Sequence, residues 1–261
     1  MRLDRPIGVY LLMWPTLWAL WFAAEGIPSL KTLSIFLVGL IVMRAAGCVI
    51  NDYADRDIDG LVERTKTRPL PAGEITPNQA LWLCGGLLFI ALILVLMTNP
   101  LTIALSFGGL AVTAIYPFMK RFTHLPQIGL GVAWAWVVPM AFSAHREELT
   151  WELWLIFAAI VVWTVAFDTY YAMVDRADDV KIGVKSTAVL FGRYDLAMIV
   201  LLQTATLVLM FLVGLSFSAA GFIFLAYLLQ QHFLPINFVM LGIEKDRHAL
   251  LRFSVIIEWA W

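Results

Sequence analysis

The stretch "IFLVGLIVMRAAGCVINDYADRDIDG", residues 35–60, decides how the rest of the chain is read. Its first sixteen residues carry one charge, Arg44, and the ten that follow carry aspartates at 52, 55, 57 and 59. With Thr32, Leu33 and Ser34 before it, the apolar part is long enough to cross a bilayer, which takes about 20 residues. A membrane helix therefore runs straight into a patch of negative charge.

The whole chain has the same character. Of 261 residues, 61% are hydrophobic, 14% are charged and eleven are tryptophan. A soluble domain averages about 45–50% apolar and about 25% charged, so the chain reads as an integral membrane protein, all-α and polytopic. By length and hydropathy the spans fall at about 7–24, 32–50, 80–98, 101–118, 126–143, 151–171, 195–216 and 219–242. That is eight full transmembrane helices, in one domain covering residues 1–261. A ninth apolar piece, 250–261, is too short to cross alone, so the C-terminus reads as shortened or altered. The first span begins so early that a short N-terminal segment reads as missing. No secretory signal with a small-residue cleavage site precedes it. Cys48 and Cys84 lie in or beside apolar segments and suggest neither a disulfide framework nor a metal site.

Basic residues fix the orientation. With the N-terminus inside, fifteen of the eighteen Lys and Arg fall on the cytoplasmic side. Lys31 and Arg146 fall outside, and Arg44 lies within a span. This topology puts two acidic clusters on the cytoplasmic side. The first is Asp52, Asp55, Asp57 and Asp59; the second, in "DTYYAMVDRADDVKIGVKS", is Asp168, Asp175, Asp178 and Asp179. Together they hold eight of the nineteen acidic residues. If the second helix continues past the membrane, Asn51, Asp55 and Asp59 share a face at i, i+4 and i+8. Asp168, Tyr171, Asp175 and Asp179 do the same at i, i+3, i+7 and i+11. Gly60 and Gly183 are the expected helix stops.

Carboxylates at this density repel one another unless something compensates them. Mg²⁺ suits the pattern, because it takes oxygen ligands and shares them between a few carboxylates and substrate phosphates. Arg56, Arg64, Lys66, Arg68, Lys181 and Lys185 lie beside the clusters and suit the remaining phosphate oxygens. The expected ligand is a diphosphate at the membrane surface, carried on a lipid tail. "DRDIDG", residues 55–60, also matches the first half of a calcium loop, but Lys66 stands where the twelfth-position glutamate belongs. A charged inter-span loop with no site, and a transporter with charges on broken helices near mid-membrane, are the competing readings. The acidic residues sit at helix ends, which favours surface chemistry.

The motifs carry a resemblance. "NDYADRDIDG" is similar to the NDxxDxxxD motif of the UbiA superfamily of intramembrane aromatic prenyltransferases, and "DRADD" to its second motif. "RPIGVYLLMWPTLWALW", "RPLPAGEIT", "YPFMKRFTHLPQIGLG" and "YAMVDRADDVKIGVKSTAVLFG" resemble the branch that prenylates aromatic acids. The resemblance implies nine helices, the last of them short or truncated here, around a central cavity open to lipid. It implies that Asn51, Asp52, Asp55, Asp59, Asp175 and Asp179 bind Mg²⁺, with Asp55, Asp59, Asp175 and Asp179 as the catalytic set. The substrates it implies are a polyprenyl diphosphate and 4-hydroxybenzoate, joined ortho to the hydroxyl in ubiquinone biosynthesis. A sibling enzyme with another aromatic acceptor shares the same motifs. Arg44 or Arg121 is expected to hold the acceptor carboxylate, with Lys120 on phosphate and with Asp168 and Tyr171 near the substrates. The expected setting is a bacterial inner membrane with the site facing the cytoplasm, in contact with lipid and without a nucleic-acid partner.

Overall fold

The computed structural model describes residues 7–60, 65 and 67–217, apart from the side chains of Ile7, Ile58, Asp178 and Ile182. The expected spans at 219–242 and 250–261, together with Arg64 and Lys66, lie outside the described residues. Every regular element among the described residues is helical: α1 (Ile7–Ala24), α2 (Leu30–Asp59), α3 (Pro77–Leu96), α4 (Pro100–Met119), α5 (Pro126–Ala135), α6 (Val137–Arg146), α7 (Glu152–Ile182), α8 (Thr187–Phe191), a 3₁₀ turn (Gly192–Tyr194) and α9 (Asp195–Ser216). Among the described residues six stretches are long and apolar enough to cross a membrane, and α1 adds a shorter apolar helix.

The helices fall into two compact units. The first is drawn from Met1–Met119 and Trp136–Leu149, the second from Lys120–Ala135 and Thr150–Trp261. In the first unit α2 packs on α3, α1 and α4, while α6 packs on α1 and α4. In the second, α7 packs on α5, α8 and α9. Large apolar side chains of α3 and α4, among them Trp82, Phe89, Phe107 and Ile115, stay exposed on the protein. Such faces are normal where the solvent is hydrocarbon, which solvates apolar side chains and asks only that backbone groups be bonded within the protein.

Length separates two helices from the rest. At 1.5 Å per residue, α3 and α4, with 20 residues each, reach about 30 Å, the thickness of a bilayer core. Helix α2, with 30 residues, and α7, with 31, reach about 45 Å. The excess in each case is the polar C-terminal part, where the aspartates lie. "DRDIDG" is accordingly the last turns of α2 and the residue after it, not an ion-binding loop.

One expected span is broken. The stretch 126–143 divides into α5 and α6 around Trp136. Pro139 has no N–H to give to the carbonyl of Ala135, four residues back, so the ladder loses a rung at this point. The break turns Trp136 toward α4, where its Nε1 donates to the Leu105 carbonyl at 2.8 Å. The indole lies where a Cβ at Gly108 or Gly109 would be, so the close approach requires both glycines.

Candidate active site

The C-terminal end of α2 has a buried and an exposed side. Asp52, Asp55 and Asp59 are 9%, 4% and 5% exposed, whereas Arg56 and Asp57 between them face outward. Burying carboxylates costs free energy unless charge or hydrogen bonds compensate. Part of that compensation comes from Arg68, whose Nη1 lies 2.6 Å from Asp59 Oδ2 and 3.2 Å from Asp52 Oδ1. One guanidinium nitrogen thus bridges two carboxylates seven residues apart on the same helix.

The segment after α2 explains how that arginine returns to the helix the chain has just left. The Thr65 hydroxyl donates to the Asp59 carbonyl at 2.8 Å and satisfies a group that the helix end leaves open. The Arg68 N–H donates to the Thr65 carbonyl, and the Ala72 N–H donates to that of Arg68 at 2.8 Å. Gly73, at φ +74°, reverses the chain in a conformation that favours glycine. Thr76 then caps α3 in a reciprocal pair with Gln79.

Arg56 is exposed beside the buried carboxylates. It donates to the Tyr53 carbonyl at 2.8 Å, stacks 4.5 Å over the Tyr53 ring and approaches Asp57 at 3.7 Å. It contacts none of the three buried carboxylates. Arg44 lies deeper in α2, seven residues before Asn51 and so about 10 Å along the axis. It is half-buried, donates to Cys48 Sγ, and forms no ion pair with a carboxylate among the described residues.

The second unit carries the other stripe. Asp168, Tyr171, Asp175 and Asp179 are half-buried along α7, and Tyr171 continues a series of rings with Phe167 and Trp163. The helix ends at Gly183, at φ +76°, and the N–H groups of Gly183 and Val184 both return to the Asp179 carbonyl. Lys185 then meets the segment after α4. Its N–H donates to the Lys120 carbonyl at 3.1 Å and its Nζ to that of Phe122 at 3.2 Å. Lys120 and Lys185 are brought side by side, while Arg121 and Lys181 are exposed. Beneath them Thr187, fully buried, shares a hydroxyl contact with Thr169 at 2.6 Å and gives its N–H to Gln127 Oε1.

Two residues escaped the sequence reading. Arg176, read as one of the basic residues of the cytoplasmic side, is paired with Asp195 at the start of α9. Asp195 also accepts from the Leu196 N–H. The pair ties α7, between its two motif aspartates, to the next long helix. The only sequence signal was an acidic residue at a helix N-terminus, where it is favoured by the helix dipole. Among the described residues, no three His, Cys, Asp or Glu side chains converge into a ready-made metal cage.

The sequence profile of the UbiA prenyltransferase family matches residues 12–250. The chain belongs to the UbiA prenyltransferase family. A UbiA-family relative, the 4-hydroxybenzoate octaprenyltransferase of Azotobacter vinelandii, is 58% identical over 259 residues, covering 99% of this chain and 88% of that protein. The apo structure of a UbiA homolog from Aeropyrum pernix K1 superposes with a TM-score of 0.81 at 25% identity, covering 100% of this chain and 97% of that one. A UbiA homolog from Archaeoglobus fulgidus, solved bound to GPP and Mg²⁺, shares the fold with a TM-score of 0.69 at 23% identity, covering 98% and 95%. Membership in the UbiA family makes this chain a prenyltransferase, and its apolar helices make it a multi-pass membrane protein.

Proposed function

We propose that the chain transfers a polyprenyl group from polyprenyl diphosphate to the ring of 4-hydroxybenzoate, ortho to the hydroxyl, as a step of ubiquinone biosynthesis. The reaction takes place at the cytoplasmic face of a bacterial inner membrane, with residues 1–261 acting as one catalytic domain. The observation that carries the reading is the group of buried carboxylates at the C-terminal end of α2, in a prenyltransferase with a 58% identical relative named for this reaction.

The residues fit Mg²⁺. Asn51, Asp52, Asp55 and Asp59 on α2 and Asp175 and Asp179 on α7 offer the hard oxygen donors that the ion prefers. The absence of a three-carboxylate cage among the described residues suits an ion that keeps water and shares itself with phosphates. Bound there, Mg²⁺ would supply charge to the departing diphosphate as a Lewis acid.

The chain's own residues do the rest. Arg68, Lys120, Lys181 and Lys185, with Arg56 at the rim, offer charge-assisted hydrogen bonds to phosphate oxygens. Arg44 holds the acceptor carboxylate; it is favoured over Arg121 because it is half-buried at depth on the α2 face of Asn51, whereas Arg121 is exposed. Tyr171 and Asp168 flank the substrates on α7. The ester C–O bond breaks, the allylic carbon bonds to the ring, and the ring carbon gives up its proton. The apolar spans keep water from the allylic cation. Membranes carrying the protein, given polyprenyl diphosphate, 4-hydroxybenzoate and Mg²⁺, should form the ring-prenylated acid, and EDTA should abolish it. Metal-independent product, or none with this acceptor, refutes the assignment.

A further inference from the structure

Arg44 raises a question that its role does not answer. An arginine inside a span is expensive and normally pairs with an acid or faces a functional cavity. This one has no carboxylate partner among the described residues, and its Nη1 donates only to a thiol sulfur, a weak acceptor. What the guanidinium does contact is helix α1. The space that a Cβ at Gly8 would fill is taken by Nε, Cζ and Nη2 of Arg44, all inside van der Waals contact. Gly8 itself is buried.

We propose that Gly8 is a positioning residue: its missing side chain seats the Arg44 guanidinium against α1 and thereby sets the preference for an acceptor that bears a carboxylate. The proposal rests on the assignment of Arg44 to that carboxylate. What matters is which partner must yield. A methyl at position 8 meets the far end of a flexible side chain, not the backbone of α2, so the guanidinium moves and the helices stay. Alanine is also a better helix former than glycine, so nothing in the local backbone calls for glycine here. Bidentate recognition of a carboxylate depends on the placement of the planar fork, and a shift of about 1 Å at a positioning group can cost up to about 10²-fold. The result is a change in acceptor specificity with little change in stability.

Kinetics of the purified full chain in nanodiscs tests this with Gly8→Ala, comparing 4-hydroxybenzoate with its neutral isostere 4-hydroxybenzamide. The expected result is a KM for the acid raised about tenfold or more, with unchanged KM for the diphosphate, unchanged thermal midpoint and a smaller acid-over-amide preference. An equal rise for both acceptors, or a lowered thermal midpoint with no selective effect, overturns the proposal. Alkylation of Cys48 by N-ethylmaleimide in a Cys84→Ser background reads the packing without catalysis. Gly8→Ala should change that rate severalfold, because the displaced guanidinium leaves the sulfur. An unchanged rate overturns the packing. A changed rate together with an unaltered KM for the acid in Arg44→Ala overturns the assignment of Arg44, and the specificity role of Gly8 with it.

Discussion

Replacing Arg68 with glutamine should make the stability of this protein depend strongly on a divalent metal. The Arg68 side chain is 16% exposed and its Nη1 serves Asp59 at 2.6 Å and Asp52 at 3.2 Å. Removing one partner of a fully buried ion pair costs about 3–5 kcal/mol, because a charge is left buried and uncompensated. The site lies at a helix end and glutamine keeps one donor, so a discounted value of about 2–3 kcal/mol applies here. For a chain of this size, that loss lowers the thermal midpoint by about 5–10 °C. In saturating Mg²⁺ the ion can neutralise the same carboxylates, and the deficit should shrink to less than half. The assay is a thermal-unfolding scan of wild type and Arg68→Gln in detergent, each with EDTA and with Mg²⁺. Equal losses in both buffers, or no loss in either, refute the idea that this arginine and the metal serve the same carboxylates.

Three further predictions follow from other parts of the molecule. Arg44→Ala should raise KM for 4-hydroxybenzoate at least tenfold with little effect on KM for the diphosphate, whereas Arg121→Ala should show no such selectivity in steady-state kinetics. Trp136→Ala should destabilise by about 3–5 kcal/mol, since it empties the space beside Gly108 and Gly109 and removes the indole hydrogen bond to the Leu105 carbonyl; thermal unfolding should show the same loss with and without Mg²⁺. Arg176→Gln and Asp195→Asn should be coupled by about 0.5–3 kcal/mol in a double-mutant cycle on thermal stability, because the two side chains pair with each other.

The long helices were legible because their signals are local. An apolar run followed by aspartates at helical spacing, with no glycine or proline between Gly47 and Gly60 or from Glu152 to Gly183, leaves the backbone no reason to stop at the membrane surface. The break at Trp136 was signalled only by Pro139, and apolar length outweighed it in the reading. Arg68 was assigned to phosphate as one of six cations beside the acidic clusters. Its contact with Asp52 and Asp59 depends on the Thr65 cap and the Gly73 turn acting together, which spacing alone does not reveal. The pairing of Arg176 with Asp195, and the meeting of Lys185 with Lys120, join residues far apart in the chain through tertiary packing. The contact between Gly8 and Arg44 was illegible for the same reason: a glycine in one helix acquires meaning only from the side chain that the neighbouring helix sends toward it.

The most direct test of the central claim is metal retention measured by electron paramagnetic resonance. Mn²⁺ would stand in for Mg²⁺ and a non-hydrolysable prenyl thiolodiphosphate for the lipid substrate. If carboxylates from α2 and α7 serve one diphosphate head, analogue-dependent Mn²⁺ binding should fall at least tenfold in Asp55→Asn and in Asp175→Asn alike, with the double variant little worse than either. Full binding in Asp175→Asn, with loss confined to Asp55→Asn, would contradict the account.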